Sequence, residues 1–258
     1  MKKLALTSLV ALFAASGAHA ANVIDNNPLY RPDAGRFYSI TSLNNDTNSH
    51  LRAWGIGEEF GYGITDKLAV ILNTGVDFAF PKGGDNTFGW NTFGIGLNYR
   101  VLDEGNWKAD VFGNYQFAPV WDGDGFLKED NTFYVWTAGV RGGYVAGDWT
   151  IAGHVAYDYT NEESFNWGDD GLHQWRLGVD GQYALDSNWN LTAGAEYTGI
   201  TNDGAKNAGT WNGIFGVNYN IDATKFVGAY IGKELTNTND GWKEVKGMTW
   251  GLKFGIDF

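Results

Sequence analysis

The sequence predicts an all-β chain folded as a single antiparallel up-and-down β-barrel of twelve strands that spans a membrane. Three observations predict it. Apolar and polar residues alternate with a period of two along segments of 10 to 14 residues, short polar turns alternate strictly with longer polar loops, and aromatic residues gather beside the short turns. Period two places successive side chains on opposite faces of a strand. An even number of strands joined by alternating short and long connections is the layout of a meander closed on itself.

Composition supports a folded chain. Of 258 residues, 12 are Trp, 13 Tyr and 16 Phe, which excludes a solvating or disordered polymer. There is no cysteine, so disulfide frameworks and thiolate metal sites are excluded, and four histidines make a metal centre a poor reading. A net charge of −12 would repel phosphate backbones, so nucleic acid is not an expected partner. No cofactor is called for.

Residues 1–20 read as a secretory signal peptide. Lys2 and Lys3 precede an apolar run from Leu4 to Ala15, and Ala18 and Ala20 are small residues at a cleavage site. Residues 21–35, with Pro28 and Pro32, read as an irregular periplasmic lead-in, and 36–258 as the barrel.

The expected strands are 36–43, 51–64, 68–80, 89–102, 107–119, 132–145, 149–160, 172–185, 189–201, 209–221, 225–236 and 246–258. The seventh shows the pattern most plainly: Trp149, Ile151, Gly153, Val155, Tyr157 and Tyr159 oppose Thr150, Ala152, His154, Ala156, Asp158 and Thr160. Five short turns, centred on Asp66, Asp103, Asp148, Asp186 and Asp222, each have a Tyr before them and a large apolar residue after them, as if built to one design. Soluble β-sandwiches alternate too, but their strands average about 5–6 residues. Thirteen residues rising about 3.3 Å each and tilted about 40° cover roughly 33 Å, enough for the apolar band of a bilayer. A propeller would need four short strands per repeat where this chain has two long ones.

Two strands fit poorly. Glu58 falls on the lipid parity of the second strand, which suggests a bulge. The eleventh puts Val227 and Ile231 on the lumen parity, together with Lys233.

The last strand carries Met248, Trp250, Leu252, Phe254, Ile256 and Phe258 on one face and ends in Phe. It resembles the assembly signal of Gram-negative outer-membrane β-barrel proteins. The resemblance implies that the barrel-assembly machinery reads Trp250, Phe254 and Phe258, that the destination is the outer membrane, and that the chain is a small porin-like barrel. Twelve-stranded members of that class include porins and channels, a phospholipase and autotransporter translocators, and no motif selects among them.

With the aromatic parity outward, the pore-lining candidates are Glu59, Asp77, Arg100, Lys108, Asp110, Arg141, His154, Asp158, Arg176, Asp180, Glu196 and Lys253. Glycines between them, such as Gly94, Gly139, Gly178 and Gly251, are expected to leave room for a narrow wet pore. Turn geometry sets Arg141 opposite His154, Arg100 opposite Lys108 with Asp110 a diagonal step away, and Glu196 near Arg176 and Asp180. The expected function is passive diffusion of ions or small hydrophilic solutes. Acidic loops containing Asp122, Asp124, Glu129 and Asp130, then Glu162, Glu163, Asp169 and Asp170, imply a mild cation preference. Asp122-Gly123-Asp124-Gly125 lacks the carboxylate spacing of a full calcium loop. The alternatives are a closed structural or adhesive barrel acting through those loops, or a barrel-embedded hydrolase using His173 with Ser164, Asp169 or Asp170.

Overall fold

The computed structural model describes residues 27–48, 51–83, 85–119, 132–161, 171–201, 209–237 and 247–258. The expected signal peptide and most of the long acidic loops therefore lie outside the described residues. Twelve strands form: β1 (Phe37–Thr47), β2 (Leu51–Gly63), β3 (Leu68–Pro81), β4 (Thr87–Glu104), β5 (Trp107–Pro119), β6 (Thr132–Ala146), β7 (Trp149–Thr160), β8 (Leu172–Ala184), β9 (Trp189–Ile200), β10 (Gly209–Asn220), β11 (Lys225–Asn237) and β12 (Met248–Asp257). Each pairs antiparallel with its sequence neighbours, and β1 closes the ring on β12 through ten registered pairs from Tyr38↔Asp257 to Thr47↔Met248. Closure leaves no free sheet edge.

The short turns follow two designs where one was expected. Gly105-Asn106 and Gly147-Asp148 are two-residue turns closed by Glu104↔Trp107 and Ala146↔Trp149, and both glycines have φ of 56°. That left-handed backbone suits glycine. The other three turns take four residues and are held by a side-chain oxygen accepting backbone N–H groups. Thr65 Oγ1 accepts from Leu68 N at 3.0 Å, Asp186 Oδ1 from Asn188 N and Trp189 N at 2.8 Å, and Asp222 Oδ1 from Thr224 N at 2.8 Å.

Burial is inverted relative to a water-soluble protein. Large apolar side chains stand exposed all round the outside, among them Phe60, Leu72, Ile95, Val111, Val140, Ile151, Leu177, Phe215, Ile231 and Leu252, while Glu59, Arg100, Asp110, Arg141, His154, Arg176 and Glu196 are buried inside. An apolar belt of that extent is stable against acyl chains and not against water. Two rings of aromatics bound it. One lies at the short-turn end, with Phe37–Phe258, Trp107–Tyr144 and Trp189–Tyr219 centroids 5.0, 4.9 and 4.8 Å apart. The second lies at the long-loop end, with Tyr115–Trp136, Tyr157–Trp175 and Tyr197–Trp211 at 4.4, 5.0 and 5.3 Å. Along β6, the eight steps from Trp136 to Tyr144 rise roughly 20 Å once tilted, about the height of an apolar band flanked by headgroup-level girdles.

The two strands that fitted poorly are resolved differently from the expectation. β2 has no bulge: its registers with β1 and β3 run unbroken, and Glu58 points outward within the apolar belt, accepting hydrogen bonds from Ser39 Oγ at 2.5 Å and Thr41 Oγ1 at 2.6 Å. Register shifts fall instead at Gly75/Val76, Arg100/Leu102 and Trp211/Asn212. In β11 the parity is the reverse of that expected. Val227 and Ile231 are exposed outside at 41% and 48%, Lys233 shares their face, and Phe226 turns inward at 5%. An inward aromatic is accommodated because the facing residue on β12 is glycine: a Cβ on Gly255 would lie 2.1 Å from the Phe226 ring.

The Asp222 carboxyl is held down to about 2 by the backbone N–H of Thr224 first, then by Lys225, whose Nζ lies 3.0 Å away, and the Thr224 hydroxyl. A depressed carboxyl contributes stability that is present above its ordinary range near ~4 and is lost as pH falls through about 2. NMR titration of the micelle-bound barrel should find Asp222 still ionised at pH ~3; a midpoint at the ordinary value would show that this turn does not hold in solution.

Candidate functional site

The inward faces of β4 to β9 carry most of the expected lining residues, and the structure assembles them into two ion-pair networks. In the first, the Asp110 carboxylate is wholly buried between Arg100, which donates through Nε, and Arg141, whose Nη2 donates at 2.8 Å. Arg100 also pairs with Asp103 at 3.2 Å, and Lys108 reaches Asp103 at 2.5 Å. Arg100 therefore faces Asp110 directly and not Lys108. The bulge at Arg100/Leu102 and the two-residue turn shift the register, so that Lys108 pairs with Asp103. Local sequence could not show that extra residue.

The second network runs across four strands. Thr137 Oγ1 donates to Asp158 at 2.6 Å, and Arg176 grips Asp158 through Nε at 2.5 Å and Nη2 at 3.0 Å. Arg176 Nη1 also stands 3.5 Å from Glu196 Oε2, to which His154 Nε2 lies at 2.9 Å. His154 Nδ1 is 3.2 Å from Asp180. Arg141 does face His154, and Glu196 does sit beside Arg176 and Asp180, as turn geometry implies. Charge-assisted contacts of this kind hold long side chains in fixed rotamers.

The remaining wall, β10 to β3, is less heavily charged. Glu59 accepts from Tyr38 OH at 2.9 Å, and Asp77 lies over Gly55, where a Cβ would come within 2.5 Å of its carboxylate. Lys253 makes no ion pair among the described residues and has its Nζ 6.0 Å from the centre of the Tyr230 ring. Inward polar groups that escaped the sequence reading include Asp46, held by Thr249 Oγ1 at 2.5 Å and Asn44 Nδ2 at 2.6 Å, together with Tyr38, Tyr230 and Glu234. Asp46 was lost because β1 runs to Thr47, beyond the expected end at 43. Tyr230 and Glu234 were lost with the parity of β11.

Lumen glycines do not simply provide room. Each of several is the bed on which a neighbour's side chain lies. The His154 ring covers Gly178, where a Cβ would meet it at 2.3 Å, and the Tyr38 ring covers Gly61 at 2.0 Å. Large lining groups thus lie along the wall, which explains how charges can be buried in a barrel of this girth.

At the short-turn end, residues 27–35 do not hang free but enter the mouth. Pro28, Leu29 and Pro32 are buried, Leu29 to 2% exposure. The carbonyl of Leu29 accepts from Arg100 Nη2 at 2.7 Å, while Tyr30 OH donates to Asp257 at 2.9 Å. The Arg31 guanidinium donates to the carbonyls of Thr65 and Asp66, and Gly35 N to Gly63 O at 2.8 Å. Burial, followed by the like charge of Arg100, lowers the Arg31 guanidinium from its ordinary range.

His173 stands on the outward face of β8, its ring centroid 5.1 Å from that of Tyr159 and its Nδ1 bonded to Tyr157 OH. Ser164, Asp169 and Asp170 are outside the described residues, as is Asp122 to Gly125. Among the expected assembly-signal residues, Trp250 stacks edge-on against Trp54 at 5.1 Å, Phe254 is exposed outward, and Phe258 packs on Phe37.

A twelve-stranded closed barrel with an apolar exterior and an ionic interior is the fold of small, porin-like outer-membrane β-barrels. Comparison with solved structures agrees. An outer membrane channel from Pseudomonas putida F1 matches with a TM-score of 0.63 at 17% identity, over 91% of this chain and 100% of that one. The NanC porin matches at 0.61 and 10% identity, over 84% and 98%. The translocator domain of the autotransporter NalP from Neisseria meningitidis matches at 0.58 and 15% identity, over 96% and 97%. No family's sequence profile matches the chain, and no curated protein matches it in sequence.

Replacing Asp110 with Ala should take from two buried guanidinium groups the carboxylate they share and lower stability by about 3–5 kcal/mol, the usual result of breaking a buried pair. Gly178→Val should push His154 off Glu196 and cost about 1–3 kcal/mol through overpacking. Urea unfolding of the refolded protein in lipid vesicles measures both, and a change below ~0.5 kcal/mol for Asp110→Ala would mean the triad does not form.

Proposed function

We propose that this protein is an outer-membrane channel for passive diffusion of ions or small hydrophilic solutes, with no catalytic step. The observation that carries the reading is the arrangement of the lining: His154, Arg176, Asp158 and Asp180 lie along the wall in ion pairs, in a barrel whose exterior suits acyl chains. Water and small solutes then need no large side chain to move, and selection falls to width and lining charge. The fold neighbours named above as a channel and a porin support this reading.

In the same reading, residues 1–20 direct export, and the barrel-assembly machinery recognises the closing strand through Trp250, Phe254 and Phe258. The bilayer is the first partner and the permeating solute the second. A mild cation preference follows from the lining as well as from the acidic loops. Among the described residues, Arg100, Lys108, Arg141 and Arg176 on β4 to β8 are each engaged by a carboxylate, and Asp46, Glu59 and Asp77 add three carboxyl groups to the opposite wall beside Lys253.

Planar-bilayer recording on the refolded mature chain tests this. Ohmic steps of constant size are expected, with reversal potentials in a salt gradient displaced toward the cation. Replacing Glu59 and Asp77 by their amides should reduce that displacement and leave the step frequency unchanged. Absence of steps at high protein load would reject the channel, and a chloride-favouring potential would reject the preference.

A further inference from the structure

The segment Asn27–Gly35 offers the largest feature that conduction alone does not account for. Two of its residues, adjacent in sequence, are bonded to strands well apart on the wall. Leu29 holds Arg100 on β4 through its carbonyl, and the next residue, Tyr30, holds Asp257 on β12 through its hydroxyl. Those strands are four steps apart in a ring of twelve. With strands ~4.8 Å apart and tilted ~40°, four steps subtend a chord of roughly 20 Å. An extended Tyr, an extended Arg and one stretch of backbone together reach about that far, so the segment crosses the mouth and does not merely follow its rim.

The seat is built for it. Tyr30 stacks edge-on against Tyr38, with centroids 5.7 Å apart, and packs on the buried cluster of Tyr38, Ile40 and Phe226. This is a patch of large apolar side chains in a lumen whose other large groups are mostly polar or charged. The far end is locked by backbone pairing: Gly35 N donates to Gly63 O at 2.8 Å, and Gly63 N to Arg36 O at 2.9 Å. A Cβ on Gly63 would lie 2.0 Å from the Asp33 carbonyl, so the approach requires glycine there. Anchors on β1, β2, β4, β11, β12 and the β2–β3 turn exceed what is needed to tidy away an N-terminal tail.

We infer that this strut is the size filter of the pathway, with Leu29 and Tyr30 setting the largest solute that passes the short-turn mouth. The inference rests on the channel reading above. Because the strut lies at one end, exclusion is asymmetric: polymers entering from the long-loop side penetrate the lumen, and those from the short-turn side stop at its mouth. A filter formed by the wall networks at mid-height would exclude equally from both.

The test uses bilayer recording with polyethylene glycols of graded mass added to one side at a time. The comparison is between the full mature chain, the chain beginning at residue 36, and Tyr30→Ala in the full chain. Heat-modifiable gel mobility confirms that each variant has folded. Truncation is expected to raise conductance at least twofold and to remove the difference in polymer cut-off between the two sides. Tyr30→Ala should move both in the same direction by less, and it decides the question alone if the truncated chain does not fold. A silent full chain with a conducting truncated one also supports the strut as the obstruction. Equal conductance and equal cut-offs in all three would overturn the filter and leave the channel standing. Silence in all three would overturn the channel itself.

Discussion

Closure of β1 on β12 is the constraint on which everything else in this molecule depends. In hydrocarbon, an unpaired N–H or C=O costs several kcal/mol, so a sheet can stand there only if no strand is an edge. Once the ring is closed, alternation leaves each strand with one face for lipid and one for the lumen. The apolar belt, the two aromatic girdles and the ionic interior are then consequences of one geometric fact. The pairs that shut the ring include Phe258 and Phe37, whose backbones exchange hydrogen bonds at 2.7 and 3.3 Å and whose rings meet at 5.0 Å. The terminal aromatic is thus both the last rung of the ladder and part of the girdle.

Inside, a second constraint operates. A lumen of twelve strands is narrow enough that unpaired long side chains would reach far into it. The chain answers with two devices used together. Glycine on one strand lets the neighbour's side chain lie against the wall, as Gly178 does for His154, and opposite charges on adjoining strands hold it there, as Glu196 and Asp180 do. Neither suffices alone. Without the glycine the ring would stand away from the wall, and without the carboxylates it would be free to swing. The rigidity of the lining is in this sense a joint property of its glycines and its charges.

Much of this was legible in the sequence because the determinants are local. Period two and turn residues locate eleven strands to within a few positions, and a two-residue turn fixes Arg141 opposite His154 by counting. What escaped depends on neighbours across the sheet. The bulge at Arg100/Leu102 leaves no mark in local alternation, yet it exchanges Lys108 for Asp110 as the partner of Arg100. The two turn designs differ in whether glycine or a side-chain oxygen completes the bend, while their outward flanks look alike. The parity of β11 was misread because Phe226 and Tyr230 resemble a lipid face. Only the glycines opposite them on β12, Gly255 and Gly251, reveal that both rings lie inside.

The places where alternation misleads are not scattered. Phe226 on β11 and Tyr38 and Ile40 on β1 are large apolar groups turned inward, and together they form the seat of Tyr30. On β1 the outward face is correspondingly polar at Ser39 and Thr41, and it is there that Glu58 of β2 finds its two hydroxyl donors within the apolar belt. A carboxylate facing lipid is costly, though less so when hydrogen-bonded. Local patterning and the global fold agree through most of the barrel, and a native chain departs from that agreement chiefly where a working part demands it. Here the departure on β11 and β1 encloses the strut, so the strands that look wrong as membrane strands look right as the socket for Asn27–Gly35.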